Sequence, residues 1–207
     1  MTDQAAARAW PALTLAQATA ALTAPGSPFE VVETTIEGRP TKIWKNAPPT
    51  LMHAFLAGRQ WGERTFIVYG DERVSFEVFA RATLALATEL KARGVTKGDR
   101  VAVAMRNVPE WPVSFFAATL LGAIATPLNA WWSGEELAYG LKDSGSTVAI
   151  VDGERLERIA PHLPELAGLT DVLVCRGREA SGDPRVERLE AVIGGPETWG
   201  EIGRAHV

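Results

Sequence analysis

Four short apolar runs constrain this chain most: Val101-Ala-Val-Ala-Met105, Ile124-Ala-Thr-Pro-Leu128, Val148-Ala-Ile-Val151 and Val172-Leu-Val-Cys175. They show none of the polar alternation of a half-solvated strand, so each reads as a strand covered on both faces, the pattern of a parallel sheet. Helix-period segments of roughly ten residues separate the runs, as βαβ crossovers require. The predicted fold class is therefore α/β, an open parallel sheet with helices on its faces.

The helices between the runs carry their own start and stop signals. Ser133-Gly-Glu-Glu136 is an S-x-x-E capping box for a helix over 135–143 that Gly145 closes. Ser75 caps a helix whose stripe is Phe76, Phe79, Ala80, Thr83, Ala87 and Leu90, with Gly94 as its left-handed stop. Asn107 and Glu110 are spaced as a capping pair for a helix reaching Leu121, and Pro127 belongs at a strand exit. A further helix is expected from Glu154 to Ala160. Upstream, Thr65 to Tyr69 and Arg73-Val74 flank a Gly70-Asp71 turn. Thr50 can cap a helix over Leu51 to Trp61, with Leu51, Met52, Phe55 and Leu56 on one face. Residues 29–44 read as a hairpin turning at Gly38-Arg39-Pro40, and residues 1–28 as an Ala-rich arm ending in Ala24-Pro25-Gly26-Ser27-Pro28.

Composition narrows the partners. The 207 residues are 46% hydrophobic with a formal net charge of −4, enough apolar material for one sizeable core and no basic block for nucleic acid or an anionic membrane. The run from Val113 to Leu128 is shorter than the roughly 18 to 20 residues of a membrane span and is broken by Ser114, Thr119, Gly122 and Pro127. The start shows no basic segment leading into an apolar one, so no signal peptide is expected. Lone Cys175 has no disulfide partner, and three scattered histidines form no zinc spacing, so a reducing cytoplasm is expected.

The catalytic inventory is thin. Neither G-x-G-x-x-G nor G-x-x-x-x-G-K-[ST] occurs. Gly194-Gly195-Pro196 with Gly200 neither follows a clear strand nor opens a clear helix, so an anion cradle there is not favoured. His53 lacks a nucleophile or an orienting carboxylate at recognisable spacing and reads as a partly buried structural residue. Glu135 and Glu136 point about 100° apart on a helix and read as first-turn acids. Cys175 reads as a small buried hydrophobe. Trp131-Trp132 follows the second strand run, where open α/β sheets bind ligands, but burial or a subunit contact is the favoured reading.

The order of segments then becomes informative. Val74-Ser-Phe-Glu-Val-Phe, Gly94-Val-Thr-Lys-Gly-Asp-Arg-Val-Ala-Val, Asn107-Val-Pro-Glu, Leu121-Gly-Ala-Ile-Ala-Thr-Pro-Leu-Asn129 and Glu136-Leu-Ala-Tyr-Gly-Leu-Lys-Asp-Ser-Gly145 together resemble the opening of acyl-CoA synthetases in the class I adenylate-forming superfamily. The match runs from about Phe29 to Cys175. The resemblance implies a ligase that joins a carboxylate to Mg·ATP, releases pyrophosphate and passes the acyl-adenylate to coenzyme A. A fatty acid is the expected substrate, and the parent enzyme is open to homo-oligomer formation.

The motifs that hold ATP, Mg and coenzyme A in that superfamily lie downstream of the matching region. Two look-alikes fail: Ser144-Gly-Ser-Thr147 lacks the Pro-Lys-Gly continuation, and Tyr139-Gly-Leu-Lys142 lacks the following Thr-Glu. No catalytic, cofactor-binding or metal residue carries over, so residues 29–200 read as part of the large domain, inactive and poorly soluble alone. Residues 201–207, Glu-Ile-Gly-Arg-Ala-His-Val, are spelled by GAG ATC GGA AGA GCA CAC GTC, which contains a common sequencing-adapter sequence. They read as an adapter translation. The competing reading is a free-standing small α/β binding or interaction module without catalysis.

Overall fold

The computed structural model describes residues 12–177 and 182–203; the expected arm before residue 12 and the tail beyond 203 lie outside the described residues. The chain divides after Pro49 into two compact units. In the first, α1 (Leu15–Thr23) starts at Thr14, whose hydroxyl accepts from Gln17 N while the Gln17 side chain accepts from Thr14 N, a reciprocal capping box. It stops where Pro25 cannot continue a helix. Strands β1 (Val31–Ile36) and β2 (Arg39–Trp44) then pair antiparallel.

The turn of that hairpin is Glu37-Gly38, one step earlier than expected, with φ of +48° and +78°. Two positive φ values give the strand-matched twist of a two-residue hairpin. Arg39 and Pro40 are consequently strand residues. Ile36 pairs with Arg39 across the turn, so alternation puts Pro40, opposite Thr35, where no ladder N–H is needed.

The second unit begins with α2 (Leu51–Arg59) and the antiparallel hairpin of β3 (Thr65–Tyr69) and β4 (Glu72–Ser75), followed by α3 (Phe76–Ala92). Ser75 caps α3 as expected, accepting from Val78 N at 3.2 Å, and Gly94 follows with φ +88°. Five strands and four helices come next: β5 (Arg100–Ala104), α4 (Glu110–Leu120), β6 (Ile124–Pro127), α5 (Gly134–Ser144), β7 (Val148–Asp152), α6 (Gly153–Ile159), β8 (Asp171–Cys175), β9 (Val186–Arg188) and α7 (Leu189–Ile193). The sheet order is β6-β5-β7-β8-β9, and every neighbouring pair is parallel. The α/β expectation holds.

Strand periodicity explains the unbroken apolar runs. Val101, Val103, Val148, Ile150, Leu173 and Cys175 point into one core with α3, α4 and α7, while Ala102, Ala104, Ala149, Val151, Val172 and Val174 point into a second core with α5 and α6. Both faces are covered, so neither tolerates a polar residue. Pro127 ends β6, an edge strand in this chain, where its missing N–H costs nothing.

Three local expectations fail. Asn107 does not cap α4; the helix starts at Glu110 behind Pro109 with no side-chain cap. Of the face proposed for α2 only Phe55 is buried, while Leu51, Met52 and Leu56 are each about half exposed, between 47% and 51%. Periodicity identifies a face but not whether anything in this chain covers it. The run opening at Ile124 is not covered on both faces: β6 is an edge strand and Ile124 is 53% exposed, while the short β9 and α7 have no sequence signal because Val186-Glu-Arg188 carries little apolar content.

Candidate functional site

In an open parallel sheet ligands bind outside the carboxyl ends of the strands. Here each of the three central strands delivers a charged residue to that edge: Arg106 two positions after β5, Asp152 at the end of β7 and Arg176 directly after β8. All three are held by neighbours.

Asp152 is the N-cap of α6. Its Oδ1 accepts from Arg155 N at 3.0 Å, its Oδ2 accepts from Arg106 N at 2.9 Å, and Arg155 Nη1 donates to both oxygens at 3.0 and 2.9 Å. Arg155 is only 1% exposed. Its Nε donates to Ala130 O at 2.7 Å, and Arg158 reaches Trp132 O at 2.8 Å, so α6 fixes the loop after β6. On that loop the Arg106 guanidinium stacks 3.7 Å from the centroid of Trp131.

Arg176 forms the second hub. Its Nε donates to Glu110 Oε1 at 2.9 Å, its Nη1 and Nη2 grip Glu72 at 2.9 and 2.7 Å, and its guanidinium lies 4.9 Å from the Tyr69 ring centroid. Its backbone N donates to Glu190 Oε1 at 2.7 Å. Three elements, β3, β4 and α4, meet on this side chain, and α7 on its backbone. Arg176 takes φ +54°, a conformation costing a non-glycine residue about 1–2 kcal/mol, which these bonds offset. Burial pushes the Glu110 carboxyl above its ordinary pKa against the opposing pull of Arg176. The Arg176 guanidinium is raised, chiefly by its bonds to Glu72.

These contacts decide what the edge can do. Helix N-termini ordinarily receive anions, but α4 opens on Glu110 and α6 on Asp152, so both positions hold carboxylates of the chain itself. Those carboxylates are bound to arginines, and among the described residues no group of three or more His, Cys, Asp or Glu could hold a metal ion. The residues present therefore do not fit Mg²⁺. What remains presented to solvent is Trp131, 70% exposed, with Arg106 stacked on it.

The residues singled out from sequence fall elsewhere. His53 is exposed, not partly buried; its Nδ1 lies 2.8 Å from Thr50 Oγ1, which is thereby diverted from capping α2. Glu136 completes the Ser133 capping box, with bonds of 3.2 and 2.8 Å. The Gly194 carbonyl accepts from Trp199 Nε1 at 2.9 Å, so the glycine segment wraps a fully buried indole. Cys175 is buried, and burial pushes its thiol pKa up. The adjacent tryptophans part company: Trp132 packs on the second core and against Gly140, whereas Trp131 is open. Arg106, Glu110, Asp152, Arg155 and Arg176 form the hubs that sequence reading missed as such. The available signal was a charge immediately after three of the four apolar runs, at Met105-Arg106, Val151-Asp152 and Cys175-Arg176.

Residues 55–194, laid along this sheet and its crossovers, match the AMP-binding enzyme family. The chain belongs to that family. Among curated AMP-binding relatives it is 31% identical over 113 residues to 4-hydroxybutyrate–CoA ligase 2 of Metallosphaera sedula, covering 55% of this chain and 21% of that protein. It is 39% identical over 80 residues to the long-chain-fatty-acid–CoA ligase FadD13 of Mycobacterium tuberculosis, covering 39% of this chain and 16% of the relative. The crystal structure of coronafacic acid ligase from Pectobacterium brasiliense superposes with a TM-score of 0.66 at 22% identity, over 71% of this chain and 30% of that one, a likeness of fold. The matched part thus spans about a fifth of the length of these AMP-binding relatives. Among the described residues no helix is long and apolar enough to cross a membrane.

Proposed function

We propose that this chain is the N-terminal part of an ATP-dependent acid–thiol ligase, which converts a carboxylic acid to an acyl-adenylate with loss of pyrophosphate and then to a coenzyme A thioester. The match over residues 55–194 carries this reading. A fatty acid is the proposed acid, supported by the relative named as a long-chain-fatty-acid–CoA ligase. The proposed site of action is the cytoplasm, and the parent enzyme uses Mg²⁺.

The segment itself is proposed to be inactive. Among its helix N-termini at the carboxyl edge, those of α4 and α6 are filled by Glu110 and Asp152 and that of α5 by the Ser133–Glu136 capping box, which supports this reading. Residues 201–207 are proposed to be an adapter translation, of which Ile202 packs against the first core. Two measurements test these statements. Pyrophosphate exchange with a panel of fatty acids should be absent for the 207-residue chain and present once the downstream coding region is joined to it; exchange by the short chain alone would overturn the inactive reading. Long-read sequencing of the source DNA across codons 195 to 210 should leave the adapter sequence behind after codon 200. Genomic codons for Glu201 to Val207 would refute the adapter origin.

A further inference from the structure

At one side the sheet ends in β6, which pairs with β5 and with no other strand among the described residues. Ile124 N donates to Asp99 O at 2.7 Å and Leu128 N to Val103 O at 2.9 Å. Along a strand the main-chain groups turn alternately to its two neighbours, so residues 124, 126 and 128 face β5. Ala125 and Pro127 face outward. The open edge therefore offers the N–H and C=O of Ala125 but only the C=O of Pro127.

That edge is self-complementary in one register. Two copies of β6 laid antiparallel about a two-fold axis at Thr126 set Ala125 of each opposite residue 127 of the other, as pairs that exchange both main-chain bonds. Thr126 then meets Thr126 of the second copy in a non-bonded pair, a favourable cross-strand match, and Ile124, 53% exposed, meets Leu128 of the second copy. The strand Ile124-Ala-Thr-Pro127 carries no charge that would repel a second copy. Proline alone breaks the ladder. From each 125–127 pair it removes the bond to Ala125 O, and its ring stands where the donor hydrogen would be.

We propose that Pro127 guards this edge, and that the partner it keeps out is a second copy of the chain, paired β6 to β6 in that register. The inference does not depend on the ligase reading.

The test replaces the guard and reads the register, using the full chain carried on maltose-binding protein for solubility, with the carrier alone as blank. In sedimentation equilibrium Pro127→Val should dimerise at least about tenfold more tightly than the unsubstituted chain, since both 125–127 pairs regain a main-chain bond. Pro127→Ala, which restores the N–H with a small side chain, should shift association in the same direction. A non-bonded antiparallel pair brings its Cα atoms to about 4.5 Å, within reach of a disulfide. Thr126→Cys combined with Pro127→Val should therefore give a disulfide-linked dimer on mild oxidation, whereas Thr126→Cys with Pro127 retained should stay monomeric; Cys175 is buried and takes no part. Hydrogen exchange on the unsubstituted chain reads the edge with no substitution at all: the Ala125 amide should exchange fast and the Thr126 amide slowly. Protection of the Ala125 amide, equal association of the unsubstituted chain and both Pro127 variants, or equal cross-linking with and without Pro127 would overturn the proposal.

Discussion

Arg176 Nε lies 2.9 Å from Glu110 Oε1, joining the residue after β8 to the first turn of α4 across 66 positions of sequence. Glu110 is nearly fully buried, so the two partners are not equivalent. Arg176→Met leaves a buried carboxyl without its donor and frees Glu72, and should cost about 2–3 kcal/mol. Glu110→Gln keeps an acceptor for Nε and should cost about 1 kcal/mol or less. Urea denaturation of both variants at neutral pH measures the difference; equal losses would show that the hub does not depend on Glu110 being satisfied.

The same carboxyl gives a pH dependence of definite sign. Burial raises the Glu110 pKa in the folded chain above its ordinary value of 4.5, so folding favours its protonated form. Its contribution to stability is therefore full below that value and is lost as pH rises through the raised one. Glu110→Gln should remove this decline, visible as a flatter stability curve on the alkaline side of pH 4.5.

Gly134 opens α5 against the backbone of α6. A Cβ at that position would lie 2.2 Å from Arg158 O, a contact no side chain sustains, and the atom is main chain. Gly134→Ala should destabilise by about 1–3 kcal/mol despite the better helix propensity of alanine. The neighbouring cap offers a control of different origin: Ser133→Ala loses the bond to Glu136 N and should cost about 1 kcal/mol. Thermal unfolding of the two single variants and the double variant separates helix initiation from helix contact.

Cys175 sits in the sheet with its thiol pKa pushed up by burial. A thiol reagent requires the thiolate, so modification should proceed only through opening of the sheet. The labelling rate should rise with denaturant in parallel with global unfolding. Rapid labelling in native buffer would mean that β8 is accessible as it stands.

The sequence by itself determined the elements whose signals are local. The Ser133 to Glu136 box, the left-handed glycines at 94 and 145, the Ser75 cap and the buried runs of β5, β7 and β8 all depend on contacts within a few residues or on strand periodicity, and each stands where it was read, whereas the run of β6 forms its strand at the sheet edge with Ile124 53% exposed. Only the tertiary structure decided which faces are covered and which charges meet. Leu51, Met52 and Leu56 have the spacing of a core face yet remain exposed, because coverage depends on chain that packs from a distance. Asn107 had the spacing of a cap, but α4 begins on Glu110, whose partner Arg176 lies in another crossover. Trp131 and Trp132 are indistinguishable in sequence and opposite in exposure, because adjacent side chains on a turn leave in different directions and only one meets α5. Ion pairs between residues this far apart follow from where the strands end in space, which no local pattern encodes.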